Sequence, residues 1–334
     1  MGRCSKILCY NTSLRLFLFL LCCVLFYPTA VSLAQFSGNV TGESVSINLD
    51  PQYPNPGETV TANFDDYAIN SAGGTILWFI DGVEGVTFRN QRSITLVTPA
   101  VGTSITLTAR VTFENRPSLE TTKTISPVYL DIIIEPLTYT PVFYAGRALP
   151  VHGSLVNLTA LMSDKSGLVS PANYSYSWIL NDTSIFGGAR KGGNRAQITI
   201  PYGRNQIMTV TIQNALGKTI ARRVISIPVV DVNLEFYEMS TLYGFSHRAV
   251  GESINLVGGG STIRAVPYNL DVRAVRSSLY SKWSLDGRPV NQDSNDPFEI
   301  NLKPGNGGSS QVKFELRNLS NLLQGDSGYF RVQF

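Results

Sequence analysis

Two histidines, His152 and His247, are the groups in this chain best suited to moving a proton near neutral pH. A histidine works as a general base only when it lies within hydrogen-bond reach of the proton it takes. No His-x-x-x-His, no Gly-x-Ser-x-Gly and no phosphate-cradling loop leading into a helix occurs around them. Both stand just before what reads as a repeat's second strand, close to Gly153 and Gly251. That matched placement predicts a loop position shared by two domains, and a joint metal site would need those domains to fold back on each other. Gly258-Gly259-Gly260-Ser261 and Gly187-Gly188 read as loop glycines beside strands, not nucleotide sites.

Carboxylates and thiols offer no more. Asp65-Asp66 follows a strand and reads as loop. Asn291-x-Asp293-x-Asn295-Asp296 spaces oxygen ligands as a calcium loop does, but lacks glycine at the sixth position and glutamate at the twelfth. All four cysteines (Cys4, Cys9, Cys22 and Cys23) fall within the first 34 residues. The chain from Gln35 onward has no thiolate for zinc, for nucleophilic attack or for an intersheet disulfide. No catalytic, cofactor-binding or metal residue is therefore assigned, and the expectation is a protein that is not an enzyme. Asn-x-Ser/Thr at Asn39, Asn157, Asn173, Asn181 and Asn318 bears on glycosylation only in a glycosylating host.

The N-terminus sets the expected compartment. Arg3, Lys6 and Arg15 precede or open the apolar run Leu16 to Phe26, and Ser32-Leu33-Ala34 puts small side chains at −3 and −1. This reads as a signal segment, residues 1–34, cleaved before Gln35. The alternatives are an uncleaved membrane anchor, which would have to continue its helix across Pro28, and a lipoprotein signal at Cys22 or Cys23, where Leu21 stands in place of a small residue. Without Arg3, Lys6 and Arg15, the 27 Lys+Arg fall to 24, against 24 Asp+Glu. A neutral exported chain is not expected to bind nucleic acid, and it meets a membrane only through the N-terminal segment. One basic stretch stands out: Arg190, Lys191, Arg195, Arg204, Lys218, Arg222 and Arg223. It reads as a solvated face, or as a patch for an acidic glycan or anionic surface.

Strands must position whatever this chain does. Period-2 alternation dominates, as in Val45-Ile47-Leu49, Ile105 to Phe113 and Val230-Val232-Leu234-Phe236, and helical periodicity is nearly absent. The pattern recurs three times. Each unit has an opening strand, then a strand begun by Gly57, Gly153 or Gly251, then a strand carrying Trp78, Trp178 or Trp283, then a late hairpin. The tryptophans recur at intervals of 100 and 105 residues. This predicts an all-β protein of three tandem immunoglobulin-like sandwiches over residues 35–128, 129–229 and 230–334. Trp78, Trp178 and Trp283 are the expected structural core, with the Asp-Gly or Asn-Asp that follows turning the chain; a sugar-stacking tryptophan platform is the other reading. Leu319 to Gln324 is expected to form one helical turn, with Gly325 to Gly328 leading into a final strand, Tyr329 to Phe334.

The second unit resembles the PKD-type branch of the immunoglobulin-like folds. Tyr174-Ser175-Tyr176-Ser177-Trp178 to Asp182 is similar to that family's tryptophan strand, and Met208 to Gly217 to its closing strand and turn. The full Gly-Asp-Gly and the His-x-Tyr of that family are missing from all three units. The whole chain also resembles exported proteins of small-genome candidate-phylum bacteria, through Tyr139 to Pro150 and Leu322 to Phe334. The first resemblance implies spacers or binding modules of bacterial surface proteins; the second implies no activity. The expected function is a structural or adhesive module that binds protein or glycan at a cell surface. The alternative is a secreted carbohydrate-binding or enzyme-accessory protein.

Overall fold

The computed structural model describes residues 45–66, 73–115, 117–203, 205–240, 242–256, 259–277, 279–290, 295–305 and 307–334. The signal segment, its cleavage position, the four cysteines, Asn39, Arg204, Gly258, Asn291, Asp293 and the side chain of His247 lie outside the described residues.

Three β-sandwiches follow one another. The first comprises β1 (Val45–Asp50), β2 (Thr59–Asp66), β3 (Thr75–Ile80), β4 (Val83–Glu84), β5 (Ser93–Val97), β6 (Ile105–Thr112) and β7 (Leu119–Ile125). They form two antiparallel sheets, β1-β2-β5 and β4-β3-β6-β7. The second comprises β8 (Tyr129–Pro136), β9 (Leu155–Asp164), β10 (Gly167–Leu168), β11 (Ser175–Leu180), β12 (Thr183–Ser184), β13 (Arg190–Lys191), β14 (Arg195–Thr199), β15 (Gln206–Gln213) and β16 (Thr219–Ile227). Here β8-β9-β14 faces β12-β11-β15-β16. The third comprises β17 (Asn233–Ser240), β18 (Gly244–Ala249), β19 (Ser253–Asn255), β20 (Ser261–Tyr268), β21 (Leu279–Leu285), β22 (Arg288–Pro289), β23 (Glu299–Leu302), β24 (Ser309–Asn318) and β25 (Gly325–Gln333). Its sheets are β18-β17-β20-β23 and β19-β25-β24-β21-β22. This is a tandem immunoglobulin-like architecture, two sheets per unit enclosing one core.

Alternation explains each core. In β9, Val156, Leu158, Ala160 and Met162 are buried and their neighbours are not. β24 repeats this with Val312, Phe314 and Leu316. Burying one face of each sheet against the other supplies most of the stability, at roughly 25 cal/mol per Å² of apolar surface.

Three elements depart from the sequence reading. The third unit's second strand is β20, not the segment after Gly251: β20 lies between β17 and β23, where β2 and β9 lie in their own units. Ser253–Asn255 is a three-residue edge strand running parallel to β25. Pro267 is tolerated inside β20 because β23 pairs only with Ser261 to Arg264, so Pro267 has an open edge beside it. At the C-terminus, Leu319 to Gln324 forms turns rather than a helical turn, and the last strand starts at Gly325. Gly328 lies in that strand opposite Phe314, and it is glycine because a Cβ there would stand 2.7 Å from the Phe236 ring. A short helix, α1 (Val272–Ser277), lies where no helix is expected, with Asp271 as its N-cap: its carboxylate accepts from the Arg273 N–H at 2.8 Å.

Candidate functional site

Each tryptophan sits at the centre of its sandwich, Trp78 and Trp178 at 0% exposure and Trp283 at 1%. Each indole N–H must find an acceptor there, and it finds the same one three times. Trp78 Nε1 donates to the Gln91 carbonyl at 2.8 Å, Trp178 to Gly193 at 2.8 Å and Trp283 to Pro297 at 3.2 Å. That carbonyl always lies two residues before the next long strand, β5, β14 or β23. Three residues after each tryptophan, Asp81, Asn181 and Asp286 adopt positive φ at 50°, 46° and 49°. Their side chains accept from the backbone N–H of Thr106, Ile207 and Gln311 at 2.7, 2.9 and 2.8 Å. The residue after the tryptophan strand therefore does more than turn the chain: it ties the turn to the start of the neighbouring strand. With the rings enclosed, no tryptophan offers a face to a sugar.

The residues with chemical potential do not converge. His152 is in the loop before β9, whereas His247 is in β18, so the two are not equivalent positions. Their expected match fails because it depended on the segment after Gly251 being a second strand. Asp65 and Asp66 end β2 rather than following it; Asp66 pairs with Arg92 at 3.0 Å. Asp296 turns toward its own loop, accepting from the Phe298 N–H at 2.9 Å and pairing with Arg264 at 3.0 Å. Among the described residues, no three His, Cys, Asp or Glu side chains group as a metal site. The basic stretch is dispersed as well. Arg190 on β13 stacks over Phe186 at 4.1 Å, and Arg195 on β14 belongs to the opposite sheet. Lys218 and Arg222 border a cleft of about 500 Å³ beside Tyr53 and Lys123 of the first sandwich.

The most elaborate construction is the junction of the second and third sandwiches. Between β8 and β9 the chain leaves the second sandwich and lies on the third. Tyr139 N–H donates to the Leu270 carbonyl at 2.7 Å, Asn269 N–H returns a bond to the Tyr139 carbonyl at 2.7 Å, and Val272 N–H reaches the Leu137 carbonyl at 3.1 Å. The Asn269 side-chain oxygen accepts from Leu149 N–H at 3.0 Å. Val151, at 2% exposure, is part of the third sandwich's core. Phe143 packs against Tyr237 and Phe245, with ring centroids 5.1 and 5.2 Å away, and Tyr144 meets Tyr268 edge-on at 5.2 Å. The hydroxyls of Tyr237 and Tyr268 share a hydrogen bond of 2.7 Å, and Tyr268 is held neutral well above the ordinary phenol range, by burial first and by that bond second.

A second seam continues from this strap. Asp271, 2% exposed, receives a forked Arg273 guanidinium, Nε at 3.0 Å and Nη2 at 2.6 Å. The same Nη2 donates to the Gly153 carbonyl at 3.0 Å. Gln324 Nε2 donates to the His152 carbonyl at 2.8 Å, and Tyr202 OH to Asn321 Oδ1 at 3.1 Å. Buried Gln324 is itself fixed by Asn318, whose Nδ2 donates to its Oε1 at 2.8 Å. His152 is part of this seam, its Nδ1 3.0 Å from the Pro201 carbonyl. The tyrosine-rich connectors, Tyr139, Tyr144, Tyr237 and Tyr243, are the residues from which the sequence predicts packing between neighbouring domains; Tyr139, Tyr144 and Tyr237 pack here, whereas Tyr243 is 85% exposed. The path of the strap is not legible, because Leu137 to Val151 has neither helical nor strand periodicity.

No family model matches this chain, and no curated protein matches it. Among solved structures, it is similar to the three N-terminal domains of the Highly Immunogenic Outer Capsid protein of bacteriophage RB49, at 14% identity over 87% of this chain and 98% of that one, with a TM-score of 0.25. It is similar to the central fibronectin-III array of RIM-binding protein at 12% identity over 86% and 95%, with a TM-score of 0.26. A Bacteroides ovatus protein, SGBP-B of a mixed-linkage glucan utilization locus in complex with a mixed-linkage heptasaccharide, matches at 14% identity over 87% and 70%, with a TM-score of 0.22. At such scores the superpositions carry no weight, and the fold rests on the strand pairings above.

Proposed function

We propose that this chain is an exported, non-catalytic surface protein of PKD-like immunoglobulin sandwiches, acting as a spacer and binding module in which the second and third sandwiches form one stiff unit. The observation that carries this reading is the strap, residues 137–152, which leaves one sandwich and is hydrogen-bonded and packed into the next. A flexible tether would need none of those bonds, and domain motion is the default where an interface is small and polar. The junction of the first and second sandwiches is slighter: Asn55 Oδ1 accepts from Leu130 N–H at 3.3 Å, and Gly102 lies close against Lys165. The tryptophans are enclosed, which favours a structural role for them over a sugar platform. Export rests on the residues before Gln35.

Paired spin labels on exposed strand positions test the mechanical part. A narrow distance distribution between sandwiches two and three, and a broader one between one and two, is expected; equal breadth overturns it. A broad hydrolase screen beside a His152→Ala, His247→Ala double variant tests the rest. No turnover is expected, and turnover that disappears in the variant overturns the non-catalytic reading.

A further inference from the structure

One face of the third sandwich is chemically unlike its counterparts. Trp283, Phe314 and Phe330 point inward from β21, β24 and β25 and are buried. Alternation therefore sends Lys282, Lys313, Arg317 and Arg331 outward together with Tyr280 and Tyr329. Register sets them in rows: Ser284, Lys313 and Tyr329; then Lys282, Glu315 and Ser327; then Tyr280, Arg317 and Gly325. Gln311 and Arg331 adjoin the first row. Lys282, Lys313 and Arg317 thus flank Glu315, which pairs with Arg317 at 2.9 Å, and Arg331 stands opposite Gln311 at the other end of the face. Lys282, Lys313 and Arg331 have no carboxylate partner among the described residues. Tyr280 is 40% exposed and Tyr329 67%. On the same sheet of the first sandwich, Arg110 lies between Leu77 and Glu120 and over the Phe79 ring at 5.0 Å, and Glu120 neutralises it at 2.7 Å. In the second, Lys191 and Arg222 stand among Ser177, Thr209, Thr211 and Val224, with no tyrosine beside them.

We infer that this face of β21, β24 and β25 binds an anionic glycan. Unpaired cations on a flat sheet raise the local concentration of an anionic polymer, and exposed phenol rings offer apolar platforms to the C–H faces of pyranose rings. Glu315, fixed by Arg317, is an acceptor for the several free hydroxyls that each sugar of a glycan offers and a DNA backbone does not, which favours a glycan over a nucleic acid. The two tyrosines stand roughly 17 Å apart from strand and residue spacings, the reach of a short oligosaccharide.

This assigns a ligand class within the binding-module reading and fails separately from it. Titration calorimetry of the full chain is run with polygalacturonate and with chondroitin sulfate, to separate carboxylate from sulfate recognition. Dextran, polyglutamate and a single-stranded oligonucleotide are the controls. Binding to at least one anionic glycan, weakening with salt, and none to dextran, is expected. The Lys282→Gln, Lys313→Gln, Arg331→Gln variant should bind on the order of tenfold more weakly. Tyr329→Ala should weaken glycan binding and leave any polyglutamate binding unchanged, which holds the test open should the triple variant fail to fold. Unchanged affinity in a folded triple variant, equal binding of polyglutamate or oligonucleotide, or no glycan binding by the wild-type chain overturns the assignment. Cleavage of the polymer would instead overturn the non-catalytic reading.

Discussion

Replacing Asp271 by alanine should loosen the junction of the second and third sandwiches from a single carboxylate. Asp271 caps α1 through the Arg273 N–H, and removing an N-cap costs about 1 kcal/mol. It also holds the Arg273 guanidinium. That side chain is 55% exposed, so its charge returns to water when the partner goes, and the pair contributes no more than about 1 kcal/mol. Freed, Arg273 loses its fixed approach to the Gly153 carbonyl, a further ~0.5–1 kcal/mol. The expected loss is about 1.5–3 kcal/mol in all, small beside a folded unit's total yet large for a junction. Asp271→Asn keeps an acceptor for the cap and should recover about half of it. Hydrogen exchange reads the effect where it arises: the amides of Tyr139, Asn269 and Val272, which bridge strap and helix, should lose protection. Amides of β3 and β6 in the first sandwich should not change. Protection unchanged at all three bridging amides, or a cost below about 0.5 kcal/mol, refutes the claim that this ion pair organises the junction.

Trp178→Ala should cost the second sandwich roughly 3–5 kcal/mol in denaturant titration, since the ring is fully enclosed and its N–H is bonded; a cost under about 1 kcal/mol would contradict its place in the core. Asp182 has φ 64° where the other two units have glycine, so Asp182→Gly should raise stability by about 0.5–1 kcal/mol, read as a shifted unfolding midpoint. Alkali should weaken the second and third sandwiches. Tyr268 and Tyr176 are both held neutral above the usual phenol range, chiefly by burial, so the stability they contribute is complete below pH ~10 and is lost as pH climbs from there toward their raised values. Stability unchanged between pH 9 and 12 would contradict that.

Much of the architecture was legible because one residue type marked it. A tryptophan followed three residues later by Asp or Asn places the third strand of each unit, and the same spacing hid a further bond, from that Asx side chain to the adjacent strand. The third unit's second strand was misplaced because Gly251-Glu252-Ser253 copies the opening of β2 in sequence, while β20 contains Pro267 and buries Val266 and Tyr268 on its other face, under the strap. That second burial disguises its alternation. The helix α1 is six residues long, too short for a 3.6-residue period to show. The strap was legible only in part: its tyrosines mark a packing surface between domains, but its bonds are made by backbone groups and by partners more than a hundred residues away, as between Leu149 and Asn269, and no local pattern encodes them.

The coupling of sandwiches two and three is the claim on which the proposed function turns, and differential scanning calorimetry of the purified chain tests it most directly. Two transitions are predicted, one for the first sandwich and one for the second and third together, with the joint transition splitting in two when residues 138–150 are replaced by a Gly/Ser linker. Three separate transitions in the wild-type chain, or an unaltered trace after the replacement, would contradict it.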